Sequence, residues 1–327
     1  MYTIDELIDT FSDKRKRGNA PVTGIKELDC FLENSDSVMT LIASRPAMGR
    51  MSVALTAIVN KMKENPEYSV VIFSMEHALD SLTARLLSIY SGINVDDIRK
   101  NKVSGEDLGR YEAAKAFFRG KNLRITDNVP LSKCDLLTSF LKVKNENDGR
   151  LDLIVIDSLD AILPDCFDEN MFQVDCEIPY GAHQDMISLK SNYYLELCKD
   201  LKLHAEAFEC HVIAFATLSR LPESRFDHRP QMIDLLNYGS IISACDTVLL
   251  LYRDEYYSDQ AKEGSMEINV AKNLGMKGLA EVCLDKKTTG IREISFEEDI
   301  YKSDTDEGEP LQDTDFLDSD EENVSWE

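Results

Sequence analysis

The sequence predicts an α/β fold: a mainly parallel central sheet with helices on both faces. Three observations carry it. Short apolar runs alternate with helical patterns along most of the chain. Most of these runs are apolar throughout rather than at every second residue, which marks strands buried on both faces. An apolar run at residues 38–43 also leads into Arg45, Pro46, Ala47, Met48, Gly49, Arg50, Met51 and Ser52, and a helical pattern at 52–63 leads out. That strand–loop–helix order aims a helix N-terminus and several backbone N–H groups at an anion, as a phosphate-binding loop does.

The elements follow in order. Ile4, Leu7, Ile8 and Phe11 form a helical stripe too short to be stable alone, and the basic, polar residues 14–19 read as a linker. Residues 68–74 are a short apolar run bounded by polar residues, hence a buried strand. Helical patterns occupy 80–90 and 105–118, the second capped by Ser104 and ended near Gly120. Residues 122–126 read as a strand, and 133–144 as a helix entered from Pro130, Leu131 and Ser132. The apolar strand 151–156 ends at Asp157, and the loop-rich segment 164–182 separates it from a helix at 186–208. Strands at 211–216 and 247–252 complete the sheet, strands at 267–272 and 279–284 extend its edge, and the turn Thr288, Thr289, Gly290 adds a hairpin. There is no internal repeat.

At 327 residues and 43% hydrophobic, the chain can bury a sizeable core. No stretch approaches the roughly 18 apolar residues that span a bilayer, and the N-terminus lacks a signal-peptide core. Eight cysteines without a C-x-x-C pair read as reduced thiols of an intracellular, cytoplasmic protein. Cys166, Cys176 and His183 are spaced too loosely for the zinc patterns in use. Of the net charge of −24, residues 297–327 carry −13, from fourteen Asp/Glu and one Lys. From about Ser303 this segment has little periodicity and reads as a disordered acidic tail; Phe316, Leu317 and Trp326 within it could dock on a basic partner. The charge argues against general nucleic-acid binding.

The chemistry centres on the loop. In a working phosphate loop a Lys after the last Gly holds the β- and γ-phosphates, and a following Ser or Thr holds Mg²⁺. Here those positions are Arg50 and Met51. Asp157 closes an apolar strand, where it can reach a metal beside the loop or simply cap a turn. Glu76 follows the strand 70–74, where a carboxylate can orient a water or favour a helix N-terminus. Arg220, Arg225, His228 and Arg229 form a basic cluster, read as a solvated loop or as a phosphate or nucleic-acid contact.

Several blocks resemble a family: Ala43-Ser44-Arg45-Pro46-Ala47-Met48-Gly49, Phe73-Ser74-Met75-Glu76 and Asp152-Leu153-Ile154-Val155-Ile156-Asp157. Leu218-Ser219-Arg220, Glu223-Ser224-Arg225, Arg229-Pro230 and the run 251–257 join them. Together they are similar to the C-terminal motor domain of DnaB-type replicative helicases, a RecA-like P-loop NTPase fold. The likeness runs over roughly residues 20 to 290, in the family's order and at about its spacing. It implies a linker helix at 1–20, a RecA-like helicase domain at 21–296 and the acidic tail at 297–327, without the family's separate N-terminal domain.

The resemblance implies ATP and Mg²⁺ as ligands, Glu76 as the catalytic glutamate and Asp157 as the metal-side aspartate. It implies nucleotide contacts from the loop residues Arg45 to Ser52, with Arg50 for the lysine and Met51 for the Mg²⁺ hydroxyl. Ser52 is expected on another face of its helix. Thr217 falls where the family has a glutamine on the γ-phosphate; Lys272 and Leu274 fall on the subunit-bridging basic pair, so the arginine finger is missing. Such a finger is worth ~10³ to 10⁵ in rate in related phosphoryl-transfer enzymes. Arg220, Arg225 and Arg229 are the DNA-binding candidates. Between Asp160 and Ser188 there are seven Asp/Glu and no Lys or Arg, and Leu236 and Asn237 replace the family's Arg and Glu in a second channel loop, so single-stranded DNA binding is expected to be weak. Three functions follow. One is a nucleotide-binding replication component impaired in hydrolysis, in a homo-hexamer or a mixed ring with helicase subunits and other replication proteins. The second is an active ATP-dependent DNA helicase with an atypical loop. The third is an interaction protein whose acidic surface mimics nucleic acid.

Overall fold

The computed structural model describes residues 23–32, 37–127, 131–146, 149–163, 180–238 and 240–294. The chain divides into two compact units, residues 1–293 and 294–327; only residue 294 of the second is described. The N-terminal stripe, most of the acidic loop after Asp160, the side chains of Leu236 and Asn237 and the acidic tail lie outside the described residues.

Helix α1 (Lys26–Leu32) precedes strand β1 (Met39–Ser44), which enters helix α2 (Arg50–Glu64) through the loop. Then come β2 (Val70–Ser74), α3 (Leu79–Ser91), α4 (Val95–Arg99), α5 (Glu106–Phe118) and β3 (Leu123–Thr126). The short β4 (Leu131–Ser132) leads to α6 (Lys133–Glu146), β5 (Leu153–Asp157) and β6 (Ile162–Leu163). Helix α7 (Tyr180–Phe208) and β7 (His211–Thr217) follow. A 3₁₀ segment (Met232–Tyr238), α8 (Ile241–Ala244), β8 (Thr247–Tyr252), β9 (Ser265–Lys272), β10 (Gly278–Leu284) and β11 (Ile291–Arg292) complete the described chain.

Several elements depart from the sequence reading: α1 and the separate parallel pair β4–β6 have no counterpart in it, and α7 begins at Tyr180 rather than at 186. Ser104 does not cap α5: Gly105, at φ 61°, takes the N-cap position and no side chain bonds there. Helix α4 has no long apolar stripe to announce it; Asn94 caps it by accepting from the Asp96 N–H at 2.9 Å.

Nine strands form one sheet in the order β11–β10–β9–β8–β1–β7–β5–β2–β3. From β3 to β8 every pairing is parallel, and β8, β9, β10 and β11 pair antiparallel at one edge. Alternate residues of the central strands serve two cores, which is why those strands read as unbroken apolar runs. Leu41, Phe73, Ile154 and Ala214 face α6 and α7, where the Phe73 and Phe140 rings meet edge-on at 5.5 Å. Ile42, Ile72, Val155 and Phe215 face α2 and α3.

One buried polar contact ties β1 to β7. His211 Nδ1 lies 3.0 Å from the Ser37 carbonyl, which can only accept, so Nδ1 carries the hydrogen and Nε2 accepts from Thr40 Oγ1 at 3.0 Å. Burial lowers this imidazole from 6.5 to about 4, only partly opposed by the Ser37 carbonyl and Asp246. An unfolded imidazole takes up its proton near pH 6.5, so between 6.5 and about 4 the unfolded chain binds a proton that the folded one does not. Stability is therefore lost as pH falls through this window, by on the order of 3 kcal/mol at ~1.4 kcal/mol per pKa unit. Urea midpoints should fall across it, and His211→Gln should flatten that part of the profile. An unaltered slope in the variant would exclude His211 as the source.

Candidate functional site

Four parallel strands bring their carboxyl ends to one place, where α/β sheets gather their sites. The register aligns Ser44 at the end of β1 with Thr217 at the end of β7, and Ser74 of β2 with Asp157 of β5. Beyond Ser44 the chain turns through Ala47 at φ 64° and Gly49 at φ 98° into α2. Gly49 is needed for that left-handed backbone rather than for space, since an added Cβ would meet Met266 Sδ at an ordinary 3.5 Å. The helix starts at Arg50, two residues earlier than its apolar pattern suggests, and its first N–H groups have no side-chain cap.

A cavity of about 570 Å³ opens above the loop. It is lined by Pro46 to Ser52, Glu76, His77, Arg85, Asp157 and Thr217 together with Arg253, Tyr256, Leu284, Lys286 and Thr289. Glu76, Asp157, Thr217 and the loop from Pro46 onwards thus border one cavity.

Arg50 lies at the centre. Its Nη1 donates to the Ala216 carbonyl at 2.7 Å and to Thr217 Oγ1 at 3.1 Å, and its Nη2 to Glu76 Oε2 at 3.4 Å. The other Glu76 oxygen accepts from Ser158 Oγ at 2.7 Å. Ser158 Oγ also lies 3.5 Å from Asp160 Oδ2, which accepts from the Tyr238 hydroxyl at 2.5 Å. The Tyr238 oxygen in turn accepts from the Thr217 N–H at 2.9 Å. The circuit closes on Arg50 and joins the loop, three strand ends and the 3₁₀ segment Met232–Tyr238. Burial, then the Asp160 carboxylate, pushes the Tyr238 phenol up, so it stays a donor.

Beside Arg50, the Met51 thioether is buried among apolar side chains. Ser52 lines the cavity instead of facing elsewhere, as do Arg50 and Met51 before it. Its Oγ accepts from Arg85 Nη2 at 2.8 Å, and Arg85 Nε donates to Thr289 Oγ1 at 3.1 Å. Burial lowers the Arg85 guanidinium to about 10, with Asp157 acting the other way, so it stays charged at neutral pH. Asp157, itself buried, accepts from His77 Nδ1 at 2.7 Å.

These residues suit a polyphosphate: cationic groups and helix N–H donors face one cavity. They do not suit Mg²⁺, which needs hard oxygen donors in near-octahedral array. The hydroxyl position holds a thioether, the Ser52 oxygen is engaged by a cation, and one Asp157 oxygen is engaged by His77. No cluster of three or more His, Cys, Asp or Glu suited to a metal occurs among the described residues.

Other expected site residues lie apart from the cavity. Arg45 turns to Glu223 and the Leu218 carbonyl. Lys272 Nζ donates to the carbonyls of Ile242 at 2.7 Å and Cys245 at 2.5 Å. Among the DNA-binding candidates, Arg225 forms a two-pronged pair with buried Asp234 at 2.7 and 2.5 Å. Arg229 does the same with Glu267 at 2.8 and 2.6 Å and stacks over Tyr252, whereas Arg220 is exposed. Sequence reasoning missed His77, Arg85, Ser158, Asp160, Tyr238 and Arg253. Arg85 had a signal, a charge on the apolar stripe Leu82, Leu86, Ile89 of α3. Arg253 lies in the run 251–257 that carries the resemblance, and the others carry no pattern. Removing the phenolic oxygen with Tyr238→Phe leaves a buried N–H without its acceptor and should cost about 1–3 kcal/mol in urea unfolding. An unchanged midpoint would mean that the circuit carries no stability.

Residues 22–293 match the family model of the DnaB-like helicase C-terminal domain. The replicative DNA helicase DnaB of Geobacillus stearothermophilus is 31% identical over 252 residues, 76% of this chain and 51% of the relative. The replicative DNA helicase DnaC of Bacillus subtilis is 29% identical over 254 residues, again 76% and 51%. The chain thus spans about half the length of the curated relatives it matches. Among solved structures, one of an ATPase domain superposes with a TM-score of 0.74 at 25% identity, covering 90% of this chain and all of that one. A DnaB-like replicative helicase, described with its interactions with primase, gives 0.71 at 25% identity, covering 90% of this chain and 68% of its own. Among the described residues no helix is long and apolar enough to cross a membrane. Strand order, strand-end cavity and these likenesses agree: the chain belongs to the DnaB-like helicase family, by way of its RecA-like C-terminal domain.

Proposed function

We propose that this chain is a nucleotide-binding component of DNA replication, impaired in ATP hydrolysis, that acts as a regulatory or ring-associated partner of helicase subunits. One observation carries the reading: Arg50, at the lysine position of the loop, is paired with Glu76 and bound to the end of β7. In the family reading Glu76 orients the attacking water. Here that water competes with Arg50 for one carboxylate oxygen and with Ser158 for the other. A planar guanidinium committed to three acceptors is also a poor substitute for a compact ammonium on the β- and γ-phosphates. The family reading gives Asp157 the metal-side role, whereas here one of its oxygens is held by His77.

The ring-side features agree with it. Leu274, at the arginine-finger position, is an exposed apolar residue, as are Met276 and Leu279 nearby. Such a turn offers a neighbouring subunit apolar contact area, with Lys277 as its exposed cation and no arginine. The commitment of Arg225 and Arg229 to carboxylates supports weak single-stranded DNA binding. The second reading, an active ATP-dependent DNA helicase, is favoured by the gathering of Glu76 and Asp157 on the same cavity as the loop.

Steady-state ATP hydrolysis with and without single-stranded DNA, against a Glu76→Gln control, separates the two. The expected result is turnover no greater than the control in either condition. DNA-stimulated turnover that the control abolishes would establish the helicase reading instead. Restoring the family groups together, with Arg50→Lys, Met51→Thr and Leu274→Arg, should recover some hydrolysis, because residues of one site act as a unit. No gain in the triple variant would count against a decayed helicase site.

A further inference from the structure

Of three positions that could meet a divalent cation in a phosphate-loop site, one lacks a hard donor and two are engaged by the protein itself. The position after Arg50 carries the buried Met51 thioether, a poor ligand for a hard cation. The next hydroxyl, Ser52 Oγ, accepts from the Arg85 guanidinium at 2.8 Å. The strand-end carboxylate Asp157 accepts from His77 Nδ1 at 2.7 Å and is almost wholly buried. Of the cations that line the same cavity, Arg50 is paired with Glu76, and Arg253 and Lys286 with Glu255, whereas Arg85 is bound to hydroxyls and to no carboxylate.

A divalent cation in such a site neutralises phosphate charge and bridges phosphate to protein. Arg85 meets both needs here. Its stem rises from α3, its guanidinium is pinned between Ser52 of the loop helix and Thr289 of the turn after β10, and it stays charged although half-buried. From these contacts we infer that the chain binds the polyphosphate of a nucleoside triphosphate without a divalent cation, Arg85 taking over the neutralising role beside Arg50.

The inference rests on the nucleotide-binding reading above and deepens it. A cation-free complex leaves the phosphate without the ion that would stabilise charge during transfer, consistent with binding that does not lead to turnover.

The test is equilibrium binding of methylanthraniloyl-ATP to the full chain, followed by fluorescence anisotropy, in excess EDTA and in excess Mg²⁺. Dissociation constants within about threefold of each other are expected. A loss of about tenfold or more in EDTA would overturn the inference while leaving nucleotide binding intact. No binding in either medium would overturn nucleotide binding itself, and the inference with it. Arg85→Met, checked for retained helicity and a cooperative unfolding transition, separates the charge from the fold. It is expected to weaken binding in EDTA by about tenfold or more. A folded Arg85→Met protein with wild-type affinity in EDTA would refute the role given to Arg85.

Discussion

The parallel register of the central strands is the constraint on which the site depends. Because β1 pairs with β7 and β2 with β5, the loop, Glu76, Asp157 and Thr217 leave the sheet side by side although far apart in sequence. A parallel sheet needs cover on both faces, and the two cores supply it. A shift of one residue would exchange the two faces and misplace every strand-end side chain.

Arg50 converts that proximity into a connected structure. Its guanidinium reaches β7 and Glu76, the second residue after β2, at once, and the circuit through Ser158, Asp160 and Tyr238 extends the connection to the 3₁₀ segment after β7. A lysine offers three donors on a flexible stem and could not present a planar fork to two strand ends. The exchange at this position therefore alters the whole top of the sheet as well as the charge facing a phosphate.

The charge distribution has the same local character. The chain is strongly acidic, and of the cations lining its cavity Arg50, Arg253 and Lys286 are paired with carboxylates while Arg85 is bound to hydroxyls. Long-range charge opposes polyanions, and because salt screens charges beyond the Debye length of ~10 Å, an anion in the cavity responds chiefly to Arg85 and the loop N–H groups. The basic cluster after β7 shows the same pairing: Arg225 and Arg229 look available in sequence and are held by Asp234 and Glu267 in the fold.

The sequence by itself determined the strand and helix order, the burial of the strands on both faces, the loop, and the placing of Glu76, Asp157 and Thr217 at strand ends. Those features follow from local periodicity and from motifs a few residues long. It also made plain that Arg50 and Met51 replace a lysine and a hydroxyl. What it could not determine was the partner each group takes. Arg50 with Glu76, His77 with Asp157, Arg85 with Ser52 and Arg225 with Asp234 are pairings between side chains on different elements or across a loop, and no periodicity encodes them. Only the tertiary structure decides them, because a charged group brought out of water takes the nearest complementary group that packing places within reach.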